Sequence, residues 1–167
     1  MDIGFRFLDI IKILSRHQIE FILVGGVAAI LEGAPVSTFD LDVMVRPTEE
    51  DRDRLLAALL ELNARYLDPA GRHILPDRAK LDTLRIHRLL TDLGPLDVLE
   101  SIGHGLTYSD LAAEVQVHEV AGMRISVLRL EMIIRSKEEA NREKDRAVLP
   151  VLHRTLKFKK EASEISG

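Results

Sequence analysis

The sequence predicts an α+β domain, a small mixed β-sheet with helices packed on it and a helical segment at the C-terminal end. Three observations carry that expectation. Phe21-Ile22-Leu23-Val24 is a short β-branched and aromatic run that stops at Gly25-Gly26, and Val27-Ala28-Ala29-Ile30-Leu31 follows as a short helix ending at Gly33. Residues 37–45 alternate, with Phe39, Leu41 and Val43 on one face and Asp40, Asp42 and Met44 on the other, as a strand requires. Two stretches near the end of the chain, 130–137 and 141–156, read as helices that close the domain.

The other elements follow from local pattern. Phe7, Ile10, Ile11 and Leu14 recur at helical spacing and predict a first amphipathic helix over residues 2–17. Thr48 with Asp51 three residues on resembles a capping box. It opens a helix whose buried stripe is Leu55, Leu56, Leu59, Leu60 and Leu62, and Glu49, Glu50 and Asp51 suit the positive end of that helix. Residues 65–80 hold Asp68-Pro69, Gly71 and Pro76 and read as a long loop. Residues 84–90 and 96–99 flank the turn-like Asp92-Leu93-Gly94-Pro95 and predict a hairpin, with Asp97 in its second arm. A short helix at 109–114 and a hairpin over 115–128, turning at Ala121-Gly122, complete the expected order. We read residues 1–156 as a single domain and 157–167 as a polar, frayed tail.

Composition narrows the function classes. Apolar runs are broken long before about 18 residues, so no membrane-spanning helix is expected. The start of the chain lacks the pattern of a secretory signal, and the expected location is cytoplasmic. There is no cysteine, which excludes disulfides and thiolate metal sites. The six histidines have no paired metal-ligand spacing. Charge is uneven: residues 1–134 carry 14 basic and 21 acidic side chains, and residues 135–160 carry 9 and 4. The basic segment is either a positive face for phosphate-bearing partners or a solvated helix with Glu138 and Arg142 paired at i,i+4.

The chemistry resides in the acids. Asp40 and Asp42, two apart in a predicted strand, project from one face, and Asp97 completes an oxygen-rich triad if its strand lies alongside. Three such carboxylates repel one another and need a divalent cation, basic partners or a shared proton. Oxygen ligands without His or Cys favour Mg2+ or Mn2+ over zinc. Gly25-Gly26 between strand and helix lets phosphate oxygens approach backbone N–H groups. Arg46, Ser37 and Thr38 read as ordinary loop or strand residues.

The combination of apolar strand, Gly25-Gly26, thirteen intervening residues, Asp40-Leu41-Asp42 and a later lone Asp97 resembles the DNA polymerase beta-like nucleotidyltransferase superfamily. Residues 21–43 look most like the nucleotidyltransferase toxins of type IV toxin-antitoxin systems and their uncharacterised minimal relatives. Residues 128–145, with Lys137, Lys144 and Asp145, are similar to the lysine- and Lys-Asp-bearing helices near the end of such domains. The resemblance implies a metal-dependent nucleotidyltransferase. Asp40, Asp42 and Asp97 would be its metal-binding and catalytic residues, and Gly25, Gly26, Lys137 and Lys144 would hold a nucleoside triphosphate such as ATP. A tRNA or other RNA acceptor and an antitoxin protein are the further partners it suggests. Gly26 stands where many members have serine, and no large extra domain that would select the acceptor is expected from these 167 residues. The competing expectation is a catalytically silent nucleotide- or RNA-binding regulatory module with the same fold.

Overall fold

The computed structural model describes residues 6–167. The expected first helix therefore falls partly outside the described residues; within them it is α1 (Phe7–Arg16), with Phe7, Ile10, Ile11 and Leu14 buried. The chain continues through β1 (Phe21–Val24), α2 (Gly25–Leu31), β2 (Leu41–Val45), α3 (Glu49–Glu61), β3 (Arg65–Tyr66), α4 (Arg78–Thr83), β4 (Ile86–Thr91), β5 (Gly94–Leu99), β6 (Ser101–Ile102), β7 (Leu106–Thr107), α5 (Tyr108–Leu111), β8 (Val115–Val120), β9 (Met123–Leu128), α6 (Leu130–Ala140) and α7 (Glu143–Ser166). Seven strands form one mixed sheet in the order β3-β4-β5-β2-β1-β9-β8, and β6 and β7 pair separately. At its centre β2 runs antiparallel to β1 and parallel to β5, while β1 runs parallel to β9. Strand β1 is buried along its whole length, as a central strand covered on both faces must be.

Both hairpins form where expected. Between β4 and β5 the turn is Asp92-Leu93, and the Thr91 hydroxyl locks it by accepting from Leu93 N (3.1 Å) and donating to Gly94 O (2.7 Å). Between β8 and β9 the turn is Ala121-Gly122, both at positive φ (49° and 80°), the conformation that matches strand twist in a two-residue hairpin.

The expected loop 65–80 is a loop only in its middle, since its ends form β3 and the start of α4, and three further expectations are corrected. Residues 37–40 are not strand: β2 begins at Leu41, and Phe39, expected beside Leu41 and Val43, is 75% exposed. The ladder explains the late start. Partner β1 ends where the chain turns into α2, and the register of β2 on β5 would put Asp40 opposite Pro95, which has no N–H to give. The Thr38 hydroxyl instead donates to Asp40 O at 3.0 Å and folds the segment back. Second, residues 157–166 continue α7 rather than fraying. Third, Glu138 and Arg142 do not pair. The helix breaks at Asn141 in the left-handed conformation (φ 50°), so Arg142 caps α7 and bonds Asp145, and Glu138 meets His153 at 3.2 Å. The expected capping box at Thr48 is half formed. Thr48 accepts from Asp51 N, but the buried Asp51 carboxylate takes Glu20 N and Arg46 Nε.

Helix α2 packs on β1, β2 and β9 and against α6, and α6 packs on α7. At the C-terminal end of α2 sits Glu32, an acid where the helix dipole disfavours one. Its side chain is 2% exposed and gathers three donors: Leu130 N at 3.1 Å, His118 Nε2 at 2.7 Å and Lys159 Nζ at 3.3 Å. One carboxylate thus ties α2 to β8, to the start of α6 and to α7. Glu32→Ala is expected to cost about 3 kcal/mol, because the donors lose a buried charged partner. A urea midpoint lowered at unchanged slope would show it; a loss below about 1 kcal/mol would remove Glu32 as the anchor. Among the described residues, no helix is long and apolar enough to cross a membrane.

Candidate active site

The ends of β2 and β5 bring the acids together. Asp42 and Asp97 are register partners on adjacent parallel strands, so their side chains leave the same face of the sheet. Asp40, in the bend just before β2, turns onto the same point. One carboxylate oxygen from each of Asp40, Asp42 and Asp97 lies within 4.8 Å of the others, and this is the only such cluster among the described residues. Alternation along β4 and β5 separates two environments. His87 and Val98 face α3 and α4, whereas Arg88 and Asp97 face a cleft of about 540 Å³ that Val148 and Leu152 of α7 also line.

Proximity strains the ionised state. Burial, followed by the negative charges of Asp40 and Asp97, pushes the Asp42 carboxyl up to about 8, with the Lys137 ammonium opposing. Burial and the Asp40 charge push Asp97 up to about 6, with Arg88 opposing. Asp42 Oδ1 is buried with no hydrogen-bond partner. A buried carboxylate oxygen with an unspent lone pair, beside two more carboxylates, is a donor set that fits a hard divalent cation such as Mg2+ or Mn2+. Asp40, Asp42 and Asp97 could hold one.

The two glycines have different neighbours. Gly25 has φ +67°, and a Cβ there would overlap the Asp42 carboxylate, so its bareness gives Asp42 room. Gly26 lines the cleft, and a Cβ on it would come within 2.6 Å of the Thr38 side chain. Lys137 and Lys144 both reach the cleft. Lys137 Nζ also lies 3.5 Å from Asp145 Oδ1, so this residue both pairs with an acid and reaches the cleft. Asp145 is fully buried and accepts from Arg142 N at 3.1 Å and Arg142 Nε at 2.7 Å, a clamp that fixes the α6–α7 corner over the acids.

Sequence reasoning missed Arg88 and misplaced Phe39. Both line the cleft. Arg88 was detectable in principle, because a two-residue turn at Asp92-Leu93 sets it opposite Asp97. Phe39 was not, since its exposure depends on β2 starting two residues later than alternation suggests.

Fold and cleft together define a domain of the nucleotidyltransferase fold. No protein-family model matches the chain, and no curated protein matches it by sequence. Solved structures do match by shape. The lincomycin-bound lincosamide antibiotic adenylyltransferase LnuA superposes with a TM-score of 0.59 at 12% identity, over 89% of this chain and 94% of that one. ANT(2")-Ia in complex with adenylyl-2"-tobramycin gives 0.59 at 14% identity, over 92% and 89%. An antigenic nucleotidyltransferase-like protein from Paracoccidioides brasiliensis gives 0.53 at 16%, over 88% and 74%.

Proposed function

We propose that this chain is a metal-dependent nucleotidyltransferase that moves a nucleotidyl group from a nucleoside triphosphate to an acceptor hydroxyl. The observation that carries the reading is the convergence of Asp40, Asp42 and Asp97 on one point of a cleft that also holds Lys137 and Lys144. The acceptor oxygen bonds to the α-phosphorus as the bond to the bridging oxygen breaks, and pyrophosphate leaves. Held by the three carboxylates, Mg2+ or Mn2+ would supply positive charge to the attacking and leaving oxygens. Asp97, as a carboxylate beside the acceptor, would accept the proton of the acceptor hydroxyl. Lys137 and Lys144 attract the triphosphate, and Gly25 and Gly26 leave the start of α2 without side chains that would block it.

The finer reading, a toxin-antitoxin component with a tRNA or other RNA acceptor and an antitoxin partner, rests on the resemblance of residues 21–43. The antibiotic adenylyltransferases of similar shape support a small acceptor as the competing substrate. Incubation with each α-labelled triphosphate, Mg2+ or Mn2+, and either total RNA or a small-molecule panel is expected to label one acceptor class. Metal-dependent triphosphate binding with no transfer to any acceptor would replace the enzyme by the silent binding module.

A further inference from the structure

We propose that Arg88 is a specificity-determining residue that holds an anionic group of the acceptor, which makes the acceptor a phosphate-bearing hydroxyl compound and not a polycation. The inference rests on the nucleotidyltransferase reading above.

Among the described residues four cations line the cleft, and they fall on two flanks. Lys137, Arg142 and Lys144 lie on the α6–α7 flank. Arg88 stands alone on the β4 flank, across the antiparallel ladder from Asp97. Three cations favour the α6–α7 flank for the β- and γ-phosphates. In-line displacement then requires the acceptor to reach the α-phosphorus from the side opposite the leaving pyrophosphate, which is the side of Asp97 and Arg88.

The Arg88 guanidinium donors are also free. Lys137 and Arg142 are paired with Asp145, whereas Arg88, like Lys144, makes no side-chain hydrogen bond or ion pair among the described residues and acts on Asp97 through its charge alone. A guanidinium left open beside a reaction centre suits bidentate binding of a phosphate. The same wall disfavours a polycation. Among the described residues no carboxylate other than the triad lines the cleft, and a divalent cation offsets two of its three negative charges, so a polyamine acceptor meets Arg88 with little acid left to offset it.

The test measures binding of three probes in the presence of Mg2+ and a non-hydrolysable triphosphate analogue: a labelled single-stranded RNA 12-mer with a free 3′ hydroxyl, ribose 5-phosphate, and tobramycin. Arg88→Ala is expected to weaken the phosphate-bearing probe by about tenfold and to lower the salt dependence of oligonucleotide binding by about one ion. Arg88→Lys, which keeps the charge, is expected to recover part of the loss. Loss on both phosphate probes means that a single phosphate is read; loss on the 12-mer alone means that the polynucleotide backbone is read. Either result supports the proposal. Unchanged affinity of Arg88→Ala for both probes, or wild-type preference for tobramycin over both, overturns it. The thermal shift produced by the metal and triphosphate analogue, read in the same samples, tests the underlying reading separately: its absence in wild type counts against nucleotide transfer and leaves the Arg88 comparison standing.

Discussion

Asp42→Asn is expected to abolish metal-dependent nucleotidyl transfer, by about a thousandfold or more, while the metal-free protein becomes more stable. The first effect follows from removing the central ligand of the triad, since a bound cation contributes several kcal/mol to the transition state. The second follows from relief of crowding among three carboxylates within 4.8 Å, worth about 1 kcal/mol or more, or roughly 2–4 °C for a chain of this length. The pH dependence gives an independent check. Burial and like charge raise the Asp42 carboxyl from 3.8 to about 8, so between these values the folded protein binds more protons than the unfolded chain. Stability of the metal-free protein is therefore greatest on the acid side of that window and falls as pH rises through it. Asp42→Asn should flatten the slope. A metal-induced rise in thermal midpoint that is equal in wild type and Asp42→Asn would remove the metal from this position.

Asp145→Ala is expected to cost about 3–4 kcal/mol, roughly 10 °C in midpoint, and to weaken triphosphate binding by about tenfold. Asp145 is fully buried, with Arg142 and Lys137 as its partners, and its loss leaves two cations at the α6–α7 corner without their anchor. Its pH signature is opposite to that of Asp42. Burial works against its ionisation, but the hydrogen bonds and charge of Arg142, together with the Lys137 charge, outweigh burial and hold its carboxyl below 3.8. Its contribution is present above that value and disappears as pH falls through the lowered one. Asp145→Asn, which keeps the shape, should remove this acid-side loss. Scanning calorimetry between pH 3 and 9 separates the two carboxylates by the sign of the slope. Asp145→Ala with an unchanged midpoint would mean that the corner is held by α6–α7 packing alone.

Much of the architecture was legible because it is written in local pattern. The strand, glycine turn and helix at Phe21–Leu31, the hairpin around Asp92-Leu93 and the one at Ala121-Gly122 each depend on residues within a few positions of one another. The three acids were legible for a related reason: a carboxylate in an apolar strand is costly unless something compensates it, so Asp42 and Asp97 stood out from exposed helix acids such as Glu49 and Glu50. Their convergence came from β2 lying parallel beside β5 with Asp42 against Asp97, a pairing between residues 55 apart that no local spacing encodes.

The errors arose where a distant partner sets the outcome. Alternation alone extends β2 back to Ser37, but the ladder stops because Pro95 offers no donor and β1 has already turned, and so Phe39 is in the cleft instead of the core. The charge pattern alone offers a Glu138–Arg142 pair as one of two alternatives, but the left-handed Asn141 breaks the helix and gives Arg142 to Asp145. Arg88 drew no notice as one more charged residue in a strand, and it acquires its place only through the register of β4 on β5. Residue chemistry and short-range periodicity thus specify the elements and the kinds of side chain that matter. Long-range strand register specifies which of them meet, because contacts between residues far apart in the chain depend on loop closure and packing that leave no periodic trace.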